Sequence, residues 1–337
     1  MVEVLARAKI NLTLDILGLR PDSFHQVETV MQSIALHDTL EIDSVGDDIE
    51  LVVPGGEVAA GKDNLVYRAA ELLRERLGRS AGARIVLNKQ IPLEAGLGGG
   101  SADAAAAMLA LNDLWGLRLP LTELITLGQR LGSDIPFCML EGAALAGGRG
   151  ELLQPLPACP AMGVVVVKPP WGASTAAVYR AYDAMCPGDG PVQEEGFFSP
   201  APDAGFFGFS KAATSDAKGA YLSTQLSGAR KLTQLKAKKT SPDTIGMIKA
   251  IEKQSPVDIA AKLANVLEAP VLTMHPAMAG IKERLLQAGA MGVLMSGSGS
   301  AVFGLTCTIA DADSVAERFR CAESERVFIT ETWNRAR

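Results

Sequence analysis

Apolar and polar side chains alternate along the first stretch of the chain with a period of two. Val2, Val4, Ala6, Ala8, Ile10, Leu12, Leu14 and Ile16 form one set, and mixed or polar positions fall between them. That period predicts a long strand over residues 2–17. Lys9 and Asn11 sit inside it, two apart and therefore on one face. A lysine and an asparagine on a largely apolar strand need polar partners; the alternative is a solvated edge. Residues 18–23, GLRPDS, read as a turn, and His25 opens a second strand, HQVETVMQSI. Residues 39–45 and 49–53 predict two more strands joined by a short acidic turn.

The period then lengthens. Behind Asn64, a good helix cap, LVYRAAELLRERL reads as a helix that stops at Gly78. Residues 83–88 predict a strand that delivers Lys89 to the mouth of a glycine-rich run. From Ser101 a helical pattern carries Ala102, Ala105, Met108 and Leu109, with no breaker before Gly116. Another helix is expected over 121–131, ending at Gly132, and 142–153 reads as a short hairpin. Past Ala158 come a buried strand over 164–167, a helix over 174–185, and helices over 255–267 and 276–288. MGVLMSGSGSAVFGLTCT predicts two strands around a glycine-rich turn at 296–300, followed by a helix near 312–321 and a strand over 326–330. The pattern predicts an α+β chain of two domains, 1–157 and 158–337, the second an α/β sandwich.

Residues 188–240 break this pattern. They are rich in Gly, Ser, Ala and Pro, and five of the ten phenylalanines fall within 197–209. From 211 to 239 there are seven basic residues and one acidic, a local +6; the whole chain carries −6, so the remainder carries −12. This segment is expected to be a flexible insertion, its phenylalanines packed on the body and its basic half free. The acidic balance, with a pI near 5.3, argues against a general nucleic-acid binder. No apolar run approaches the length of a membrane span. The five cysteines are odd in number, widely spaced and without a CxxC pair, which predicts a cytoplasmic enzyme with reduced thiols and no zinc site.

Candidate chemistry concentrates at PLEAGLGGGSADAAAAM. Gly96, Gly98, Gly99 and Gly100 lead into a helix start, where crowded backbone N–H groups and the positive end of the helix dipole suit a polyphosphate. A side chain at Gly99 is expected to block the phosphates. The spacing fits neither a dinucleotide fingerprint nor a Walker loop. Asp134, in GSDIPF, stands between one helix and the next, and reads either as an N-cap or as a chemical group held in one orientation.

Ala8-Lys9-Ile10-Asn11-Leu12, His25 after the first turn, PLEAGLGGGSADAA, LGSDIPF and MSGSGSAVFG occur in that order. Together they resemble the GHMP small-molecule kinases, whose phosphate loop reads Pro-x-x-x-Gly-Leu-Gly-x-Ser-Ser/Ala. Within that group they resemble the kinases of 4-diphosphocytidyl-2-C-methyl-D-erythritol. The resemblance covers roughly 1–186 and 241–337. It implies an N-terminal domain like the second domain of ribosomal protein S5, a ferredoxin-like C-terminal domain, and an active site in the cleft between them. It implies ATP and Mg²⁺, and a cytidine-diphosphate methylerythritol acceptor. It assigns Asp134 as base and Lys9 as its partner. Pro92, Leu93, Glu94, Ala95, Gly96, Leu97, Gly98, Gly99, Gly100, Ser101 and Ala102 are assigned to ATP, with the Ser101 hydroxyl toward a phosphate or Mg²⁺. Asn11, His25, Lys89 and Trp171 are assigned to the acceptor, His25 reading the cytosine and Trp171 stacking on it. Three departures stand out: segment 188–240 has no family counterpart, Ser300 replaces a more usual Pro or Thr, and Trp171 stands where Phe is frequent. The rivals are a GHMP kinase acting on mevalonate, homoserine or a sugar, and a non-catalytic nucleotide binder.

Overall fold

The computed structural model describes residues 1–56, 58–78, 80–186 and 241–335. The phenylalanine cluster and the basic run of 188–240 lie outside the described residues. The first strand, β1 (Val2–Leu19), pairs antiparallel with β2 (His25–Asp43) through the turn at 20–24. β2 is one strand of 19 residues, not the two expected from the pattern. The reason is an irregularity in register: Arg7 pairs with His37 but Lys9 pairs with Ser33, so β2 spends extra residues opposite Ala8. The bulge breaks the alternation without ending the strand, because β4 (Ala83–Asn88) holds its far end on the other side. A second register shift lies between Asn11 and Thr13. Lys9 and Asn11 are thus bracketed by two of the three places where the hairpin register shifts, the third lying between Ile16 and Gly18.

β3 (Ile49–Val52) pairs parallel with β4, and the hairpin of β5 (Ala143–Gly147) and β6 (Leu152–Pro155) joins β2 by its first strand. Helix α1 (Leu65–Leu77) is capped by Asn64, whose side chain accepts from the Val66 N–H, and stops at Gly78 in a left-handed conformation. Helix α2 (Gly99–Leu114) begins two residues before Ser101. Ala102, Ala104, Ala105, Ala106, Ala107 and Ala110 are all buried along it, and side chains this small let α2 lie close against the sheet and α1 with little entropy cost. Helices α3 (Leu121–Gln129) and α4 (Ile135–Leu140) complete this layer.

The second half holds a four-stranded antiparallel sheet in the order β11-β7-β10-β9. Its strands are β7 (Gly163–Lys168), β9 (Gly292–Met295), β10 (Val302–Thr306) and β11 (Arg326–Glu331). Helix α5 (Thr175–Met185) follows β7, and α10 (Ile309–Arg318) connects β10 to β11. With the intervening helices α6 (Thr244–Glu252), α7 (Pro256–Ala261), α8 (Glu268–Met274) and α9 (Ala277–Ala288), this is a βαββαβ arrangement of ferredoxin type. The single helix expected over 255–267 is replaced by α7, a two-residue strand β8 (Ala264–Asn265) and the approach to α8. Asn265 explains the break. Its side chain donates to the carbonyls of Met295 and Gly297 and accepts from the Leu267 N–H, while its backbone pairs with β1.

One core cluster joins the two sheets, with Ile10, Val30 and Ile34 packed beside Val164, Val166, Leu294 and Phe303. The chain end returns to the first half, where the Trp333 N–H donates to the Ser33 carbonyl and Gln32 donates to the Trp333 carbonyl. No helix among the described residues is long and apolar enough to cross a membrane.

Candidate active site

Residues 94–97 of the glycine loop lie between β1 and the 296–300 turn, and both sides hold them through the backbone. The Lys9 N–H donates to the Leu97 carbonyl, and the N–H groups of Ser300 and Ala301 donate to the carbonyls of Glu94 and Ala95. The Ser296 hydroxyl donates to the Gly96 carbonyl at 2.9 Å. Gly96 is left-handed, with φ 73°, and a Cβ there would stand 2.0 Å from the Ser296 carbonyl oxygen. Only glycine satisfies both conditions. Gly98, at φ 71°, caps α2 without any side chain to bond the first turn. Ala102 N–H donates to the Gly98 carbonyl, so the amides of Gly99, Gly100 and Ser101 lie in the turn that α-helical bonding leaves open. These are the donors an anion would meet.

A cavity of about 900 Å³ runs from this helix start to the β1–β2 turn and α5. Lys9, Asn11, His25, Lys89, Asp134 and every residue from 92 to 101 line it. Ala102 and Trp171 do not. Ala102 is buried in the core. The Trp171 ring is stacked on His275, with centroids 4.0 Å apart and planes 5° from parallel, and its carbonyl accepts from Lys168 and Ser300. It is therefore not placed to stack on a base in this cavity.

Lys9 is buried, and its ammonium donates to Asn11 Oδ1 at 2.8 Å and to the Gly96 carbonyl at 2.9 Å. Asn11 in turn donates to Thr29 Oγ1. Asp134 Oδ2 stands 3.5 Å from Lys9 Nζ, and its side chain remains one-third exposed. Asp134 occupies the N-cap position of α4, but its side chain makes no capping bond. The carboxylate is thus left to Lys9 and to the cavity. Gly98 sits against this pair: a Cβ there would lie 3.1 Å from Lys9 Cγ and 3.7 Å from Asp134 Oδ2.

Lys89 is buried and held between two carboxylates, 2.5 Å from Asp38 Oδ2 and 2.7 Å from Asp103 Oδ2. Asp38 also accepts from the N–H groups of Gln90 and Ile91 through Oδ1. Burial works against the Lys89 charge, but Asp103 and Asp38 together outweigh it and hold the ammonium above its usual pKa. Burial is the largest influence on Asp103; Lys89 opposes it and the Asp38 charge adds to it, bringing Asp103 up to about 7. This triad lies directly beneath the helix start, since a Cβ on Gly99 would meet Ile91 and Lys89 Nζ.

At the far end of the cavity, the His25 ring packs against Tyr179, with centroids 4.8 Å apart, and Phe24 beside it is 53% exposed. Arg149 lies over the Phe24 ring. Burial pushes the Tyr179 phenol well up. The α5 residues Thr175, Ala176, Tyr179, Arg180 and Asp183 also line the cavity. Sequence reasoning missed Phe24, Tyr179, Asp38 and Asp103. An aromatic beside His25 in a turn was a readable signal for Phe24. Nothing in the helical pattern of α5 distinguished Tyr179 from a packing residue.

Family models for the GHMP kinases N terminal domain and the GHMP kinases C terminal domain match residues 64–142 and 247–325. The 4-diphosphocytidyl-2-C-methyl-D-erythritol kinase of Pelotomaculum thermopropionicum is 46% identical over 335 residues, covering 99% of each chain. A crystal structure of 4-(cytidine 5'-diphospho)-2C-methyl-D-erythritol kinase superposes with a TM-score of 0.71 at 31% identity, over 99% of this chain and all of that one. The homoserine kinase of Cytophaga hutchinsonii shares the fold, with a TM-score of 0.64 at 17% identity over 98% of this chain and 94% of that one. Identity at the level of the first relative, sustained along nearly the full length of both chains, makes this chain a member of the GHMP kinases, in the branch of the 4-diphosphocytidyl-2-C-methyl-D-erythritol kinases.

Proposed function

We propose that this chain transfers the γ-phosphoryl group of ATP to the 2-hydroxyl of 4-diphosphocytidyl-2-C-methyl-D-erythritol, a step of the non-mevalonate route to isoprenoid precursors. The observation that carries the reading is the placement of Lys9 and Asp134 3.5 Å apart, against Gly98 at the open start of α2. A tertiary alcohol is a poor nucleophile, and Asp134 takes its proton as attack proceeds. Lys9, fixed by Asn11 and the Gly96 carbonyl, orients that carboxylate and offsets negative charge on the group in transfer. Residues 96–101 hold the nucleotide phosphates through backbone N–H groups. The rest is positioning, which two ends of one cavity supply.

The residues present fit a cation carried in with the nucleotide. Among the described residues, no group of three or more His, Cys, Asp or Glu side chains is placed to hold a metal alone. The Ser101 hydroxyl at the loop would offer a protein oxygen to Mg²⁺ brought in with the nucleotide. Bound there, Mg²⁺ would offset negative charge on the phosphates during transfer. Lys89, with two carboxylates already on its ammonium, braces the loop from beneath while lining the cavity. Phe24, His25 and Tyr179 form an aromatic end suited to a planar base, and this favours a nucleotide-bearing acceptor over mevalonate, homoserine or a sugar. Release of ADP from ATP, followed with each of these acceptors in turn, tests the reading. Turnover is expected with the cytidine compound alone; equal turnover with homoserine or mevalonate contradicts it.

A further inference from the structure

Asp183 sits at the edge of the cavity on α5, one helical turn beyond Tyr179. Its Oδ1 is 2.7 Å from His25 Nε2, and its side chain is 52% exposed while that of His25 is 12% exposed. Tyr179 and Asp183, four residues apart on one helix face, hold the imidazole in two ways. The phenol ring packs against its face, and the carboxylate takes the hydrogen bond at one nitrogen. His25 is the first residue of β2, and its backbone is paired with Leu19 at the end of the β1–β2 hairpin. Ring position, tilt and tautomer are thus set from two elements distant in sequence.

An imidazole carries its single proton on one nitrogen or the other, and the hydrogen bond made by one decides what the other offers. A carboxylate only accepts, so Asp183 draws the proton to Nε2. Nδ1 is left with a lone pair and has no hydrogen-bond partner among the described residues, on a ring that lines the cavity. A lone pair there accepts from an exocyclic amine and repels a carbonyl oxygen. Cytosine and uracil differ in that respect at one ring position.

We infer that Asp183 is a positioning residue that fixes the His25 tautomer, so that the cavity selects a base presenting an amino group over one presenting a carbonyl. This rests on the proposed cytidine acceptor and adds the group that makes the selection. Asp183 touches no reacting atom, and its loss is read in acceptor binding rather than in the chemical step.

The test compares kcat/KM for 4-diphosphocytidyl-2-C-methyl-D-erythritol and its uridine counterpart in the wild type and in Asp183→Leu. The nitrogen-15 shifts of the His25 ring are recorded for both proteins. The wild type is expected to show Nε2 protonated and Nδ1 bare, and to favour the cytidine compound. Asp183→Leu is expected to lose roughly tenfold of that preference, about the worth of one hydrogen bond. The loss falls in KM for the cytidine compound, with KM for ATP unchanged and a mixed tautomer in the spectrum. Asp183→Glu is expected to restore much of the preference. A wild-type ring protonated at Nδ1, or an unchanged preference in folded Asp183→Leu, overturns the inference and leaves the cytidine reading standing. A wild type that uses both compounds equally overturns the inference alone, and one that turns over neither overturns the cytidine reading as well.

Discussion

Gly98 and Gly99 are neighbours in a run of three glycines, yet a side chain at each would meet different surroundings. At Gly98 the backbone is left-handed and a Cβ would press on Lys9 and face Asp134. Gly98→Ala therefore adds strain of about 1 kcal/mol and displaces the Lys9 side chain. Calorimetric titration is expected to show weakened ATP binding, together with a lower kcat. Gly99 is the position that the sequence alone marks as the block to phosphates, but its Cβ would point inward at Ile91 and Lys89. A substitution there is felt as a packing defect beneath the loop. The aromatic residues divide in the same way. Tyr179→Ala is expected to raise KM for the cytidine substrate roughly tenfold, the scale of one lost base stack. Trp171→Ala should leave that KM unchanged, because the Trp171 ring is spent on His275. Steady-state kinetics on both variants separate the two roles, and a larger effect from Trp171 would contradict the assignment.

The hairpin β1–β2, the strand β4 and the helix α2 meet at Asp38, Lys89 and Asp103, two acids around one base. Asp38 is fully buried and also bonds two backbone amides. Asp38→Ala leaves those amides and part of the Lys89 charge without a partner, and a loss of roughly 3–5 kcal/mol in denaturant unfolding is expected. Asp103 differs, because its folded pKa is raised to about 7. A raised carboxyl pKa means that the folded state holds the proton more tightly than the unfolded one. The stability it contributes is present below about pH 4 and is lost as pH rises through about 7. Asp103→Asn removes that dependence. Its melting temperature relative to wild type should therefore climb between about pH 4 and pH 7 and level off above, and a flat or falling difference would contradict a raised Asp103 pKa. None of this triad's pairing was readable in the sequence, since Asp38 looks like a strand residue and Asp103 like one polar position in an alanine-rich helix. The elements that were legible are those fixed locally: the period of β1, the Asn64 cap and Gly78 stop of α1, and the glycine start of α2. What escaped was fixed by distant partners. The bulge in β2 depends on register with β1, and the break at β8 depends on what Asn265 bonds across the molecule.

Across the whole molecule, the glycine loop is assembled from both halves. The 296–300 turn docks on residues 94–96 through Ser296, Ser300 and Ala301, and Asn265 fixes that turn through the Met295 and Gly297 carbonyls. β1 supplies Lys9 from the opposite side, α4 presents Asp134 at its start, and α5 closes the far end with Tyr179 and Asp183. In the proposed reading, such an arrangement leaves the chemistry to the Lys9–Asp134 pair and the positioning to the elements around it. The kcat of Asp134→Asn, measured in a folded variant whose ATP and acceptor binding have been verified by titration, is the most direct test of this account. A fall of roughly 10²–10⁴-fold with little change in either KM is predicted, the scale of a lost general base. A kcat near that of the wild type would contradict the assignment of Asp134 and, with it, the reading of the Lys9–Asp134 pair as the catalytic centre.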